Sequence, residues 1–96
     1  MVVVPARFVA TTIDQCAAVG IRSVIVISAG FKEAGPEGGA IERELIVHAR
    51  AGGIRVLGPN CLGLISTPTS LNASFASFMP PRGHIGFMSQ SGALGT

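Results

Sequence analysis

The sequence predicts an α/β fold built on a parallel sheet, and three observations carry that prediction. Two hydrophobic periods alternate along the chain, short β-branched runs giving way to stretches with helical spacing. Glycine or proline marks nearly every change of period. Charge is sparse, with 12% of residues charged, 48% hydrophobic and a mean hydropathy of +0.56. That composition suits strands covered on both faces, as in parallel α/β sheets. It also excludes other classes. A chain of 96 residues is one domain at most, or part of one, burying roughly 60–65% of its unfolded surface. Such a composition does not stay disordered. No apolar run approaches the ~18–20 residues of a membrane span. A net charge of +2 is too small and scattered for a nucleic-acid footprint, and five Phe without Trp or Tyr give few stacking platforms.

The elements follow in order. Val2 to Val4 is a β-branched run ended by Pro5, a buried strand and its exit. From Ala6 to Val19 the positions Val9, Ile13, Cys16 and Ala17 fall at helical spacing, and Gly20 stops the helix. Ser23 to Ser28 is a second strand, followed by a loop rich in Gly and Pro from Ala29 to Gly39. A second helix runs from about Ala40 to Ala51, with Ile41, Leu45, His48 and Ala49 on one face and Glu42, Arg43 and Arg50 on the other. Gly52-Gly53 closes it. Ile54 to Leu57 is a third strand, broken by Gly58-Pro59. Strand–helix–strand–helix–strand with short connections is the right-handed parallel unit of doubly wound folds.

The stretch from Cys61 to Arg82 has no clean period and reads as a linker or long crossing loop. Order resumes with a strand from His84 to Met88, and Ser89-Gln90-Ser91-Gly92 opens a helix. The sequence thus begins inside an apparent strand and stops inside an apparent helix, which points to a fragment. Cys16 and Cys61 lack a second pair to complete a zinc site. Two thiols without a basic, cleavable leader point to a reducing, cytoplasmic setting.

Ligands of open α/β sheets bind at the carboxyl ends of the strands, where four segments stand. Pro5 to Phe8 is either a plain strand-to-helix turn or part of a ligand edge. Ser28-Ala29-Gly30 runs into a loop whose glycines let backbone approach a cofactor or simply serve turns; it is neither a Walker loop nor G-x-G-x-x-G. Gly58 to Gly63 is a tight turn by composition, with Asn60 and Cys61 either at the ligand edge or as turn residue and buried thiol. Ser89-Gln90-Ser91-Gly92 is the most physical of the four. A strand turning through small polar residues into a helix aims free N–H groups and the positive helix end at one point, which fits a phosphate. The alternatives are a helix cap by Ser89 or Ser91, or a nucleophile elbow at Ser91. The elbow lacks flanking glycines and an evident Asp–His pair. His48 reads as a packed core histidine, His84 as a surface residue, and Glu33, Glu37 and Glu42 as solvated.

In this order the segments resemble the nucleoside-diphosphate-forming acyl-CoA synthetases, relatives of the succinyl-CoA synthetase alpha subunit. The matching text is VVVPARF, VISAGFKEAG, GPNCLG, the Leu-Asn-Ala-Ser-Phe run at 71–75, and GHIGFMSQSGALGT, together nearly the whole chain. The resemblance implies a ligase that joins a small carboxylic acid to CoA with ATP and Mg, releasing ADP and phosphate through an acyl phosphate and a phosphohistidine. It implies a Rossmann-like half-domain (βαβαβ) over residues 1–66, a linker over 67–83, and the first strand and helix start of a flavodoxin-like domain over 84–96. By that likeness Pro5, Phe8, Ser28, Ala29, Gly30, Asn60 and Cys61 belong to the CoA site. Ser89, Gln90, Ser91 and Gly92 match the helix start that holds phosphate and the phosphohistidine.

The departures matter equally. The family's glycine-rich CoA loop, its phosphohistidine and its nucleotide-binding ATP-grasp part have no counterpart in these 96 residues, and neither His48 nor His84 matches the phosphohistidine. No catalytic residue is therefore expected in the chain, which should be inactive alone and oligomeric when complete, with no nucleic-acid or membrane partner. The rival readings are a catalytically silent CoA-ligase-like region regulating a protein acetyltransferase, and a truncated frame without function.

Overall fold

The computed structural model describes residues 1–85 and Ser91. It divides into two units, Met1–Cys61 and Leu62–Thr96. In the first, a 3₁₀ turn at Ala6–Phe8 leads directly into helix α1 (Val9–Ala18). Strand β1 (Ser23–Ile25), a 3₁₀ turn at Lys32–Ala34, helix α2 (Pro36–Ala51) and strand β2 (Arg55–Leu57) follow. β1 pairs with β2 in parallel, Val24 opposite Val56. On its other side the central strand meets Val2 through a parallel bridge at Val26, with Val2 N–H donating to Ile25 C=O at 2.7 Å and Ile27 N–H to Val2 C=O at 3.1 Å. The α/β reading of the sequence therefore holds, although only Val2 of the first run bonds as a strand.

α1 and α2 share one core with this sheet. Val9 and Ile13 from α1, Leu45 and Ala49 from α2, and Val2, Val24, Val26 and Ile54 from the strand segments are all buried together. The i, i+4 spacing of Val9/Ile13 and Leu45/Ala49 turns each pair toward that core. Phe31, between β1 and α2, is 0% exposed and anchors the connection. A large apolar side chain buried this fully contributes roughly 1.5–3 kcal/mol.

Several expectations need correction. α2 begins at Pro36, four residues ahead of the expected start, so Pro36 to Gly39 form its first turn and not a loop. Proline is well suited there, because a first-turn N–H has no intrahelical acceptor and its φ is preset for the helix. Gly35, at φ 109°, supplies the sharp entry. His48 is not packed into the core. It is half-buried, with Nδ1 2.8 Å from both carboxylate oxygens of Asp14 on α1 and Nε2 3.9 Å from Glu44. An imidazole keeps a polar edge that needs a partner, and the partner lies across the helix pair.

The stretch read as a long loop contains a β-hairpin in the second unit. β3 (Gly63–Ser66) and β4 (Leu71–Ser74) pair antiparallel, Gly63 opposite Ser74 and Ser66 opposite Leu71. Thr67 to Ser70 make the turn, with Thr69 Oγ1 2.8 Å from Ser66 Oγ and Ser70 at φ 53°. A Cβ on Gly63 would meet the Ala73 carbonyl oxygen at 2.3 Å, so the strands close only over glycine. His84 and Ile85 are exposed and carry no strand pairing among the described residues. The rest of the strand expected at His84 to Met88, and the helix expected after it, lie outside the described residues.

Candidate functional site

Three chain reversals meet at the carboxyl end of the parallel sheet, because each parallel strand leaves it on the same side. After Val4, Pro5 (φ −52°, ψ 144°) turns the chain into the 3₁₀ start of α1, where Phe8 N–H bonds Pro5 C=O at 2.9 Å. Phe8 is 49% exposed, with the Arg7 guanidinium carbon 4.5 Å from its ring centroid. After β1, Ser28 donates its hydroxyl proton to the Val4 carbonyl and so ties the first reversal to the second. Ala29 is exposed, and Gly30, at φ 102°, lies so close that a Cβ there would stand 3.3 Å from Ala6 Cβ. After β2, Gly58 and Pro59 are joined by a cis peptide. Asn60 then takes a left-handed conformation (φ 53°), and its N–H donates to the Ser28 carbonyl at 2.9 Å.

Hydrogen bonds thus link Val4 to Ser28 and Ser28 to Asn60 across the edge. The Asn60 residue is exposed. Cys61 turns its thiol inward, with Sγ 3.4 Å from the Val26 carbonyl oxygen and 3.9 Å from that of Leu57. Gly58 admits this arrangement, since a Cβ there would come within 2.3 Å of Val26 O and 3.0 Å of the Cys61 sulfur. Pro5, Phe8, Ser28, Ala29, Gly30, Asn60 and Cys61 are therefore brought to one edge. Ser91 is half-buried. Ser89, Gln90 and Gly92 lie outside the described residues.

Two acidic residues read as solvated bond the backbone that follows the edge, Glu33 from an exposed position as expected and Glu42 from a half-buried one. A single oxygen of Glu33 accepts the N–H groups of Gly30 at 2.6 Å and Phe31 at 3.1 Å. Those bonds, led by the one from Gly30, hold the Glu33 carboxyl below its ordinary value, with the Lys32 charge adding to the effect. Glu42 on α2, its side chain 18% exposed, accepts the Lys32 N–H at 3.1 Å and stands 3.9 Å from Lys32 Nζ. The signal for Glu33 was its reach of three residues back to Gly30, the spacing by which a glutamate caps the start of a helical turn. Glu42 gave no local signal, since its partner lies ten residues away.

Residues 1–67 match the family model of the CoA binding domain. The chain belongs to that family. This CoA-binding domain chain is 47% identical over 94 residues to the ADP-forming acetate–CoA ligase I of Archaeoglobus fulgidus, covering 98% of this chain and 14% of the relative. It is 44% identical over 95 residues to the alpha subunit of the ADP-forming acetate–CoA ligase II of Pyrococcus furiosus, covering 99% of this chain and 21% of that subunit. The solved apo structure of the dinucleotide-forming acetyl-coenzyme A synthetase 1 of Ca. Korarchaeum cryptofilum superposes with a TM-score of 0.90 at 42% identity, over 98% of this chain and 20% of the other. The chain thus spans only 14% and 21% of these two relatives' lengths. Among its described residues no helix is long and apolar enough to cross a membrane.

Proposed function

We propose that this chain supplies the CoA-facing edge of an ADP-forming acyl-CoA synthetase, with Pro5, Phe8, Ser28, Ala29, Gly30, Asn60 and Cys61 contacting the cofactor. The observation that carries the reading is the convergence of the three strand ends, bonded through Ser28, within residues that match the CoA-binding family. An edge that combines Gly30, the exposed Ala29 and Asn60 and the half-exposed Phe8 ring suits the pantetheine arm of CoA, which is long, thin and studded with amides. In the proposed enzyme this part stands over residues 1–66, and residues 84–96 begin a second domain. ATP-grasp, Mg²⁺ and phosphohistidine functions lie in other parts of the protein, which works as an oligomer in the cytoplasm on a small carboxylic acid.

Two experiments on the intact protein test the reading. Cys61 stands at the proposed edge, so saturating CoA is expected to slow its alkylation, while Cys16, packed against the core, reacts slowly throughout. Equal alkylation of Cys61 with and without CoA would remove it from the site. The second concerns Ser89-Gln90-Ser91-Gly92, proposed to hold phosphate. A phosphohistidine brings roughly two negative charges, and no Lys or Arg lies in the tetrapeptide. Backbone N–H groups and hydroxyls are then the compensation, each charge-assisted bond contributing about 1.5–3 kcal/mol. Gly92→Asp sets a like charge against the phosphate. Loss of phosphoenzyme labelling from ATP with CoA affinity retained is expected; normal labelling would reduce the segment to a helix cap.

A further inference from the structure

Two adjacent backbone N–H groups that point to one place form an anion-binding concavity, and a glycine at its start makes the geometry accessible. Gly30 and Phe31 present such a pair, and the chain fills it with its own carboxylate through Glu33 Oε1. The surrounding contacts leave this loop few ways to move. Phe31 is buried in the core, Ala34 N–H bonds its carbonyl at 2.8 Å, and Lys32 N–H is held by Glu42 from α2. Glu33 holds the N–H side of Gly30 while Gly38 of α2 packs against its carbonyl side, and Gly30 continues Ser28, whose hydroxyl and carbonyl bind the other two strand ends.

From this arrangement we propose that Glu33 is a positioning residue of the CoA edge, fixing the Ser28–Gly30 backbone in the conformation that receives the cofactor. The inference rests on the functional reading above. The lowered Glu33 carboxyl fits it, because the two N–H groups bond the charged form. A depressed folded value means the tie is complete above the ordinary 4.5 and is lost as pH falls through the lower folded value. The charged group acting on Glu33 is Lys32 beside it, whose N–H and Nζ are in turn met by Glu42 from α2.

The test compares wild type, Glu33→Gln and Glu33→Ala in the intact protein at neutral pH, reading CoA affinity by calorimetry, the KM for CoA, kcat and the melting temperature. Glutamine keeps an oxygen for both N–H groups and loses only the charge. Loss of one charge-assisted tie is expected to weaken CoA binding about tenfold in Glu33→Ala. That loss should fall on KM and leave kcat near wild type, and Glu33→Gln should recover most of it. A Glu33→Ala protein that melts lower yet binds CoA as wild type does would overturn the inference and leave the CoA reading intact. If Glu33→Ala does not fold, Glu33→Gln decides: affinity within about threefold of wild type at neutral pH, with less loss than wild type below pH 4.5, supports the inference, and parallel pH profiles overturn it. A wild-type protein that fails to bind CoA defeats the functional reading itself.

Discussion

Gly38 lies in the first turn of α2, where a Cβ would stand 1.8 Å from the Phe31 carbonyl oxygen, 2.5 Å from its carbonyl carbon and 3.0 Å from the Gly30 oxygen. All three are backbone atoms of the loop that carries the candidate edge, so no rotamer change relieves the clash. Alanine in a helix interior gains about 1 kcal/mol over glycine, whereas forcing a backbone apart costs about 1–3 kcal/mol or more. Gly38→Ala is therefore expected to destabilise despite its better propensity. Gly39→Ala, one residue on, meets only the flexible end of Arg43 at 3.5 Å and should stabilise by a few tenths to ~1 kcal/mol. Denaturant melts of the two variants check this; equal effects would mean that the loop yields freely. The sequence reads both as glycines of a loop, there either for turns or for the close approach of a cofactor, and does not tell them apart.

At the level of elements, α1 and α2 are held by apolar packing and by one polar tie, His48 to Asp14. The side chains of that pair are 32% and 55% exposed, so solvent and salt screen it and such pairs contribute about 0–1 kcal/mol. Asp14→Ala should lower stability by less than ~1 kcal/mol, whereas Ile13→Ala, removing a fully buried side chain, should cost about 2–5 kcal/mol. Thermal melts of the two variants rank the terms, and a larger loss from Asp14→Ala would show that the helix pair depends on its polar tie. The same contrast explains what the sequence could reveal about these elements. Helical spacing of Val9, Ile13, Leu45 and Ala49 announced the packed faces. His48 followed the apolar spacing of α2, but its partner came from another helix. The hairpin of β3 and β4 stayed hidden because GLIS and LNAS are short, half-exposed and joined without an Asn-Gly or Asp-Gly turn.

At the scale of the molecule, the first unit leaves apolar surface uncovered. Val3 is 64% exposed, Val47 65% and Leu57 44%, and the outer sides of Val2 and β2 have no strand beside them among the described residues. Open edges beside exposed apolar side chains invite pairing with other copies. The 96-residue chain by itself is expected to associate or fold poorly, as light scattering and a thermal melt would reveal. A monodisperse monomer with a sharp cooperative transition would refute this.

Within the first unit the sequence by itself determined the order of strands and helices, most of their apolar faces and the three segments that follow the strands, because each is written in local periodicity and in glycine and proline. It also carried the family likeness, since VISAGFKEAG and GPNCLG are contiguous motifs. Only the tertiary structure decided how those segments meet. The Ser28 hydroxyl on the Val4 carbonyl, the Asn60 N–H on Ser28 and the inward Cys61 thiol join residues distant in the chain. The start of α2 at Pro36 was decided in the same way, since Gly38 must pass against the Phe31 backbone for the helix to seat. Periodicity reports which face a residue turns inward, but not which distant backbone group awaits it there.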